Sequence, residues 1–146
     1  MSELESNFEI RLANSDDIDG ILKVDKELGG LHPTLDAKVK TMLNNPNSYF
    51  MVGMYKGEIV GYVGGTIRET EFGNADPIGY ITHVGLSKGF ASKGMGRMLG
   101  DRLIDKMSLK CEIFRTILSF ERNDLQSFFN HLGFKKTDLM VYEHKF

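Results

Sequence analysis

The sequence has little of several features that would assign it to a special class of protein. It contains one cysteine and three prolines, carries a formal net charge of -2, and has no apolar run long enough to span a bilayer. The single cysteine, Cys111, excludes an intrachain disulfide and is typical of a reducing compartment. The balanced charge argues against general nucleic-acid binding, which needs a basic surface. We therefore expect a protein that binds neither nucleic acid nor membrane.

The size and composition are those of one soluble domain. The 146 residues are 41% hydrophobic and 26% charged, which is enough apolar material for a single core. No repeat, low-complexity tract or linker divides the chain, and its polar start, MSELESNFEIRL, lacks a signal-peptide pattern. We expect one domain over residues 1–146, located in the cytoplasm.

Strand and helix patterns are interleaved along the chain. Strands are predicted in NFEIRLA, SYFMVGMY, EIVGYVGGTIRE, YITHVGLS, EIFRTILSF and LMVYEHKF, and Lys56-Gly57 joins the second to the third as a hairpin. Helices are predicted in NSDDIDGILKVDKEL, TLDAKVKTMLNN, the segment after Gly94, and NDLQSFFNHL. The sequence therefore predicts an α/β fold: a mixed, largely antiparallel sheet of about six to seven strands with about four helices on both faces.

A glycine-rich stretch, GFASKGMGRML at residues 89–99, lies between a predicted strand and a predicted helix. Helix starts prefer acidic side chains, yet this one carries Lys93 and Arg97. An anion bound from outside the chain would remove that conflict. Glycines let backbone approach closely, and the exposed N–H groups of a first helical turn can hold a phosphate. A plain tight turn is the alternative explanation for the glycines.

Two common phosphate motifs do not fit this stretch. A Walker A loop needs Lys and then Ser or Thr after its second glycine, whereas Met95-Gly96 follows Gly94 here. A dinucleotide fingerprint needs G-x-G-x-x-G, and Gly100 comes one residue too late.

The segment ASKGMG, with Gly94 and Gly96, resembles the acetyl-CoA loop of the GNAT superfamily of N-acetyltransferases. Upstream, VGLS is similar to the strand end of that family, with Gly85 in its small-residue position. Downstream, NDLQSFFNHLGF resembles the family's Asn…aromatic…Leu-Gly-Phe segment, and the order of elements fits along the whole chain. Two positions depart from the pattern: Ala91 replaces Arg or Gln, and Phe129 replaces the usual tyrosine.

The resemblance implies acetyl-CoA as the cofactor. Backbone N–H groups from Ser92 to Arg97 would hold its pyrophosphate, with charge from Lys93 and Arg97. The pantetheine arm would pair with strand backbone from Val84 to Leu86, where Gly85 leaves room. The cofactor-binding candidates are Val84, Gly85, Leu86, Ala91, Ser92, Lys93, Gly94, Met95, Gly96, Arg97, Asn123 and Phe129.

The resemblance also implies direct attack of an amine on a thioester carbonyl. A lysine-like amine has a pKa of about 10.4, so freeing it at pH 7 costs roughly 4–5 kcal/mol and a base would help. The strand before the glycines offers Tyr80, Thr82 and His83 as catalytic candidates and contains no carboxylate. Histidine has the most suitable pKa for a base, so His83 is a candidate, but it needs a bulge in the strand to share a face with Tyr80 and Thr82. A structural, hydrogen-bonded histidine is the alternative.

The expected acceptor is a primary amine, which could be a small molecule, a polyamine, an amino acid or a peptide. The resemblance places it against the first two helices and the loop before the glycine strand. Glu27, Glu69 and Glu71 are substrate-binding candidates, because acidic surface suits a cationic amine, although ordinary solvation also accounts for them. A homodimer is compatible with the family.

No metal is expected, because His32, His131 and His144 lack ligand spacing. A non-catalytic acyl-CoA-binding module is the alternative function. Ala91, Phe129 and the missing strand carboxylate favour it, whereas the intact general form of the glycine loop favours an enzyme.

Overall fold

The computed structural model describes residues 7–69, 76–90 and 94–146. These residues form five strands and four α-helices, and one-turn 3-10 helices at Ser15–Asp17 and Lys88–Phe90 precede two of the α-helices. In chain order the elements are β1 (Phe8–Leu12), α1 (Ile18–Glu27), α2 (Leu35–Leu43), β2 (Ser48–Tyr55), β3 (Glu58–Arg68), β4 (Ile78–Leu86), α3 (Met95–Met107), β5 (Ile113–Arg115) and α4 (Asn123–His131).

The described strands form one sheet in the order β1-β2-β3-β4-β5. The first four strands pair antiparallel, and β5 pairs parallel to β4. The expected mixed, largely antiparallel sheet is confirmed, but the expected count of six to seven strands is wrong, because the described residues give five. The segment LMVYEHKF forms no strand there, and its Leu139, Met140, Val141 and Tyr142 side chains are exposed. Their apolar pattern has no described neighbouring strand to pair with.

Helices cover both faces of the sheet, as predicted. On one face Phe50 and Val52 of β2 pack against Ile21 of α1 and Val39 of α2. Their neighbour Met51 points to the other face, where it joins a cluster with α3 and α4. Because successive side chains of a strand point to opposite faces, β2 contributes to two separate cores, one beneath each pair of helices.

The start of α1 is fixed by a local hydrogen-bond network. Asn14 caps the preceding 3-10 turn, and its side chain accepts from the backbone N–H of Asp16 at 2.9 Å. Asp17 closes the capping box by accepting from the Asn14 N–H at 2.8 Å. The buried Asp17 carboxylate also accepts two hydrogen bonds from the Arg11 guanidinium, at 2.7 and 2.8 Å. These bonds hold the pKa of Asp17 below its ordinary value of 3.8.

We expect Asp17→Asn to destabilise the fold by about 1–2 kcal/mol at neutral pH. Since the folded pKa of Asp17 is depressed, the carboxylate's contribution is present above its unfolded pKa and is lost as the pH falls through the folded one. Urea unfolding should therefore give a difference between wild type and variant that shrinks as the pH is lowered below the ordinary pKa of an aspartate. Asp16→Asn in the exposed part of the same turn is the control. An Asp17→Asn difference independent of pH would contradict this assignment.

The single cysteine lies in the core beneath α3. Cys111 is 5% exposed, and its thiol donates to the carbonyl of Met107 at 3.4 Å. Burial raises the pKa of the Cys111 thiol, which keeps it from acting as a thiolate at neutral pH. This environment fits a structural residue rather than a nucleophile.

Candidate active site

A cleft opens where β4 and β5 part. The two strands pair only from Ile78 to Tyr80 of β4, and Thr116, just beyond β5, donates to the Ile81 carbonyl at 3.0 Å. Strand β4 then continues to Leu86 with no described strand on that edge. The resulting cavity, called here the main cleft, has a volume of about 940 Å³. Its described walls include Ile81, Val84, Leu86, Gly94, Gly96, Arg97, Thr116, Leu125 and Phe128.

Two residues of β4 direct their backbone polar groups to this open edge. Ser87 donates its N–H to the carbonyl of Val60 at 2.7 Å, which marks these two residues as a hydrogen-bonded pair. Hydrogen-bonded and non-hydrogen-bonded pairs alternate along an antiparallel ladder. Val84, which is paired with Val63, and Leu86 therefore turn their N–H and C=O groups away from β3. An extended ligand in the main cleft could form hydrogen bonds to this edge.

The main cleft ends at the N-terminus of α3. Gly94 precedes this helix with a φ of 78°, and a Cβ built on it would have no atom of the described residues within 4 Å. Gly94, Gly96 and Arg97 line the cleft, whereas the Met95 side chain is fully buried, so only its backbone can face a ligand. The first N–H groups of a helix have no intrahelical acceptor, and together with the dipole they attract an anion.

The cleft wall also contains two arginines, each paired with a carboxylate. Arg97 lies 3.8 Å from Asp101, and both side chains are largely exposed. Arg122, at the start of α4, also lines the cleft and forms a bidentate pair with Asp124 at 2.9 and 3.0 Å. No motif in the sequence pointed to Arg122. Asn123, the predicted cofactor contact, is exposed and is not part of the cleft wall.

Gly85 was predicted to leave room for a ligand arm, but in the structure it leaves room for a side chain of the protein itself. A Cβ at this position would lie 2.5 Å from the ring of Tyr62, which is fully buried on the face of α1 and α2. The side chain that excludes larger residues here is therefore Tyr62, and space for a ligand arm is not needed to explain the glycine.

A β-bulge at Thr82 arranges the polar side chains of β4. Gly64 pairs with His83 and Gly65 with Ile81, so Thr82 is the extra residue. Tyr80 pairs with Thr66, two positions along β3 from Gly64, and thus shares a face with His83. The bulge that His83 was predicted to need is present.

His83 is held as a neutral imidazole. It is 9% exposed, and its Nδ1 lies 2.7 Å from the Thr82 hydroxyl. Burial, followed by the charges of His32 and Lys38, lowers the pKa of His83 to about 4. A histidine with this pKa accepts a hydrogen bond at neutral pH but is a weak base.

A second cavity, called here the small pocket, shares a wall with the main cleft. Its volume is about 490 Å³. The two cavities have His32, Thr82 and His83 in common, so they meet at the bulge of β4. The other described walls of the small pocket are Pro33, Ala37, Lys38, Thr41, Met42 and Thr66. A ligand in one cavity can thus approach a ligand in the other at His83.

The predicted acidic substrate contacts are not brought together. Glu27 accepts a hydrogen bond from the Ser87 hydroxyl, Glu69 accepts one from Asn47 at 3.3 Å, and neither lines the main cleft or the small pocket. Among the described residues of the small-pocket wall the charged side chain is Lys38, a cation. Glu71, Ala91, Ser92 and Lys93, also predicted from the sequence, lie outside the described residues.

Phe129 and Tyr80 both reach the main cleft. Phe129 is 5% exposed and packs edge-on between Phe128 and Phe134, each 5.1 Å away between ring centroids. Tyr80 is half-buried, with the Arg68 guanidinium 4.7 Å from its ring centroid. Phe129, at the position where the family usually has a tyrosine, therefore presents an apolar ring to the main cleft.

The described part of the chain contains no group of three His, Cys, Asp or Glu side chains arranged to hold a metal ion. Within residues 7–69, 76–90 and 94–146, no helix has the length and hydropathy to cross a membrane.

An unpaired strand edge that leads to a helix N-terminus defines a site for an extended ligand ending in an anion. A sequence profile described as the acetyltransferase (GNAT) family matches residues 16–134. The chain belongs to this family, which confirms the resemblance seen in its sequence.

Solved structures share this fold at low sequence identity. An aminoglycoside N-acetyltransferase, AAC(6')-Iy with the bisubstrate analogue CoA-S-monomethyl-acetylneamine, matches with a TM-score of 0.82 and 19% identity over 94% of this chain and 97% of that chain. An aminoglycoside acetyltransferase from an uncultured soil metagenomic sample, with sisomicin, gives 0.79 and 14% over 99% of both chains. A possible acetyltransferase from Clostridium difficile 630 gives 0.79 and 21% over 95% of this chain and 97% of that chain.

Proposed function

We propose that this chain transfers an acetyl group from acetyl-CoA to a primary amine by direct attack. The observation that carries the proposal is the continuity of the site. The open edge of β4 runs along the main cleft to the N-terminus of α3, and the small pocket meets this cleft at His83. One cavity suits an extended cofactor with a phosphate, and the other suits a small acceptor beside it.

The residues present fit acetyl-CoA. The backbone N–H and C=O groups of Val84 and Leu86, on the open edge of β4, would form hydrogen bonds with the amide groups of the pantetheine arm. The first N–H groups of α3, beside Gly94, would hold the pyrophosphate. Arg97 would add charge there. Contacts from Ala91, Ser92 and Lys93 remain predictions. When bound, the cofactor supplies a thioester carbonyl carbon that an amine nitrogen can attack.

The polar residues of β4 orient the amine in this proposal. His83, neutral at pH 7, accepts a hydrogen bond from the amine, and Thr82 fixes the imidazole through its Nδ1. Tyr80, on the same face, lines the approach. The leaving thiolate has an ordinary pKa of about 8.5 and can depart without full protonation, so Phe129 in place of a tyrosine is compatible with turnover.

The small pocket favours an acceptor without a second positive charge. Lys38 is the charged side chain of its described wall, so a polycationic amine would meet repulsion there. We infer that monoamines, amino acids or peptide N-termini are accepted in preference to polyamines.

The proposal is tested by CoA release from acetyl-CoA, followed with a thiol reagent across monoamines, amino acids, peptides, polyamines and sisomicin. We expect amine-dependent release that is lowest for the polycations and absent in Gly94→Trp. Tight CoA binding without release for any amine would instead favour a non-catalytic acyl-CoA-binding module. Phe129 at the position of the usual tyrosine favours that second function.

A further inference from the structure

His32, between α1 and α2, is brought to the junction of the two cavities. Its ring centroid lies 4.8 Å from that of His83 and 5.9 Å from that of Tyr62. Its side chain lines both the main cleft and the small pocket. The site therefore contains two adjacent imidazoles, one from β4 and one from a segment that carries none of the sequence motifs.

One hydrogen bond assigns the proton of the His32 ring. The Nε2 atom lies 3.3 Å from the carbonyl oxygen of Val84, which is directed to the open edge of β4. A carbonyl can only accept, so Nε2 must carry the hydrogen in the neutral ring. The Nδ1 atom then holds a free lone pair, and within the described residues no hydrogen bond to it is found.

Asp25 holds the backbone that carries this ring. Its Oδ1 accepts from the His32 backbone N–H at 3.2 Å and from the Tyr62 hydroxyl at 3.1 Å. Asp25 is 7% exposed, and Tyr62, whose pKa is raised by burial, stays protonated as the donor. This buried carboxylate therefore fixes the position of the backbone that carries the ring.

The two imidazoles have different surroundings. His83 is kept neutral by burial and by the nearby charges of His32 and Lys38, while Asp25 acts in the opposite direction. Asp25 of α1, Lys38 of α2 and Tyr62 of β3 are the described titratable side chains found in ring contact or charge interaction with one of the two imidazoles.

We propose that His32 is the proton acceptor of the acetyl transfer. This inference rests on the proposed function. As the bond from the amine nitrogen to the carbonyl carbon forms and the carbon–sulfur bond breaks, the sulfur keeps the bonding electron pair. The nitrogen loses one proton to His32 Nδ1. The Nε2–H group of His32 stays on the Val84 carbonyl throughout, so the ring is held while it becomes charged.

His32→Gln separates this role from a structural one, because the glutamine amide can still donate to the Val84 carbonyl but cannot take up a proton. We expect kcat to fall by about 100-fold or more, the range of general base catalysis, while the Kd for CoA measured by calorimetry stays within about twofold. Added imidazole should restore part of the rate of His32→Ala. His144→Gln, at an exposed histidine of the C-terminal segment, is the matched control.

A second readout does not depend on turnover. In the free wild-type protein, the nitrogen NMR shifts of His32 should show a protonated Nε2 and a bare Nδ1, with the signals identified by their loss in His32→Gln. A proton on Nδ1, or wild-type kcat in His32→Gln, would overturn the inference while leaving the proposed function intact. If the wild type releases no CoA with any amine, the proposed acetyltransferase function and the role of His32 are both wrong.

Discussion

Gly94→Trp is expected to weaken CoA binding by about 100-fold or more, equivalent to about 2.7 kcal/mol, while the protein stays folded. A side chain at this position would project from the N-terminus of α3 into the main cleft, where no described atom lies within 4 Å of its Cβ. It would occupy the space proposed for the pyrophosphate. Calorimetry with CoA measures the loss, and CoA release with an accepted amine should fall in parallel.

Gly94→Ala is the matched control for this variant. Gly94 has a φ of 78°, so any residue with a Cβ incurs a backbone cost of about 1–2 kcal/mol. Alanine and tryptophan share that cost and differ in bulk. The alanine variant should lose a few degrees of Tm yet keep most of its affinity. Equal affinities for CoA in the two variants would show that the ligand does not pass this helix end.

Gly85→Ala is expected to destabilise the fold by about 3 kcal/mol, the upper end of the range for overpacking a core. The added Cβ would lie 2.5 Å from two ring carbons of Tyr62. That ring cannot move aside easily, because it is fully buried, stacks on Phe50 at 5.8 Å and is bonded to Asp25. Thermal unfolding should show a Tm lower by about 6–12 °C.

Gly89→Ala provides the comparison for Gly85. A Cβ on Gly89 would meet no described atom within 4 Å, and its φ is not in the left-handed region. The change should leave the Tm unchanged or raise it slightly. An unchanged Tm in Gly85→Ala would mean that the Tyr62 ring adjusts, and the case for Tyr62 as the reason for the glycine would be lost.

The elements that the sequence predicted well are those whose signals are local. The helix predicted in NSDDIDGILKVDKEL begins after an Asn14 cap and is followed by two glycines, and the predicted hairpin turn at Lys56-Gly57 has φ values of 49° and 83°. Each of these features fixes a boundary within a few residues. Such boundaries depend on backbone preferences that the residue type itself carries. They are therefore readable without knowledge of the rest of the fold.

Strand predictions failed where pairing partners decide the outcome. EIFRTILSF was predicted as a full strand, yet only Ile113–Arg115 pair with β4, and LMVYEHKF forms no strand in the described structure. Alternating apolar residues indicate that a segment could form a strand, but hydrogen bonds to a neighbour make it one. At β5 the parting of the strands is also what creates the main cleft.

The site was predictable only in part, for a related reason. The glycines and β4 are adjacent in sequence and carry a recognisable pattern, so their place in one cleft wall could be predicted. His32 is 52 positions from the Val84 carbonyl that it contacts, and it stands in no motif. Asp25, Tyr62 and Lys38 were missed similarly, because only the packing of α1 and α2 on the sheet brings them together.

Because Cys111 is buried, the folded protein reacts only slowly with thiol reagents. Its sulfur is covered by core side chains and its pKa is raised, so a reagent that counts released CoA meets little background from folded protein. Without acetyl-CoA, the same reagent measures local opening of the protein, because Cys111 reacts only in molecules that have opened around α3. Its labelling rate thus reports the population of opened molecules, in the same cuvette as the enzyme assay.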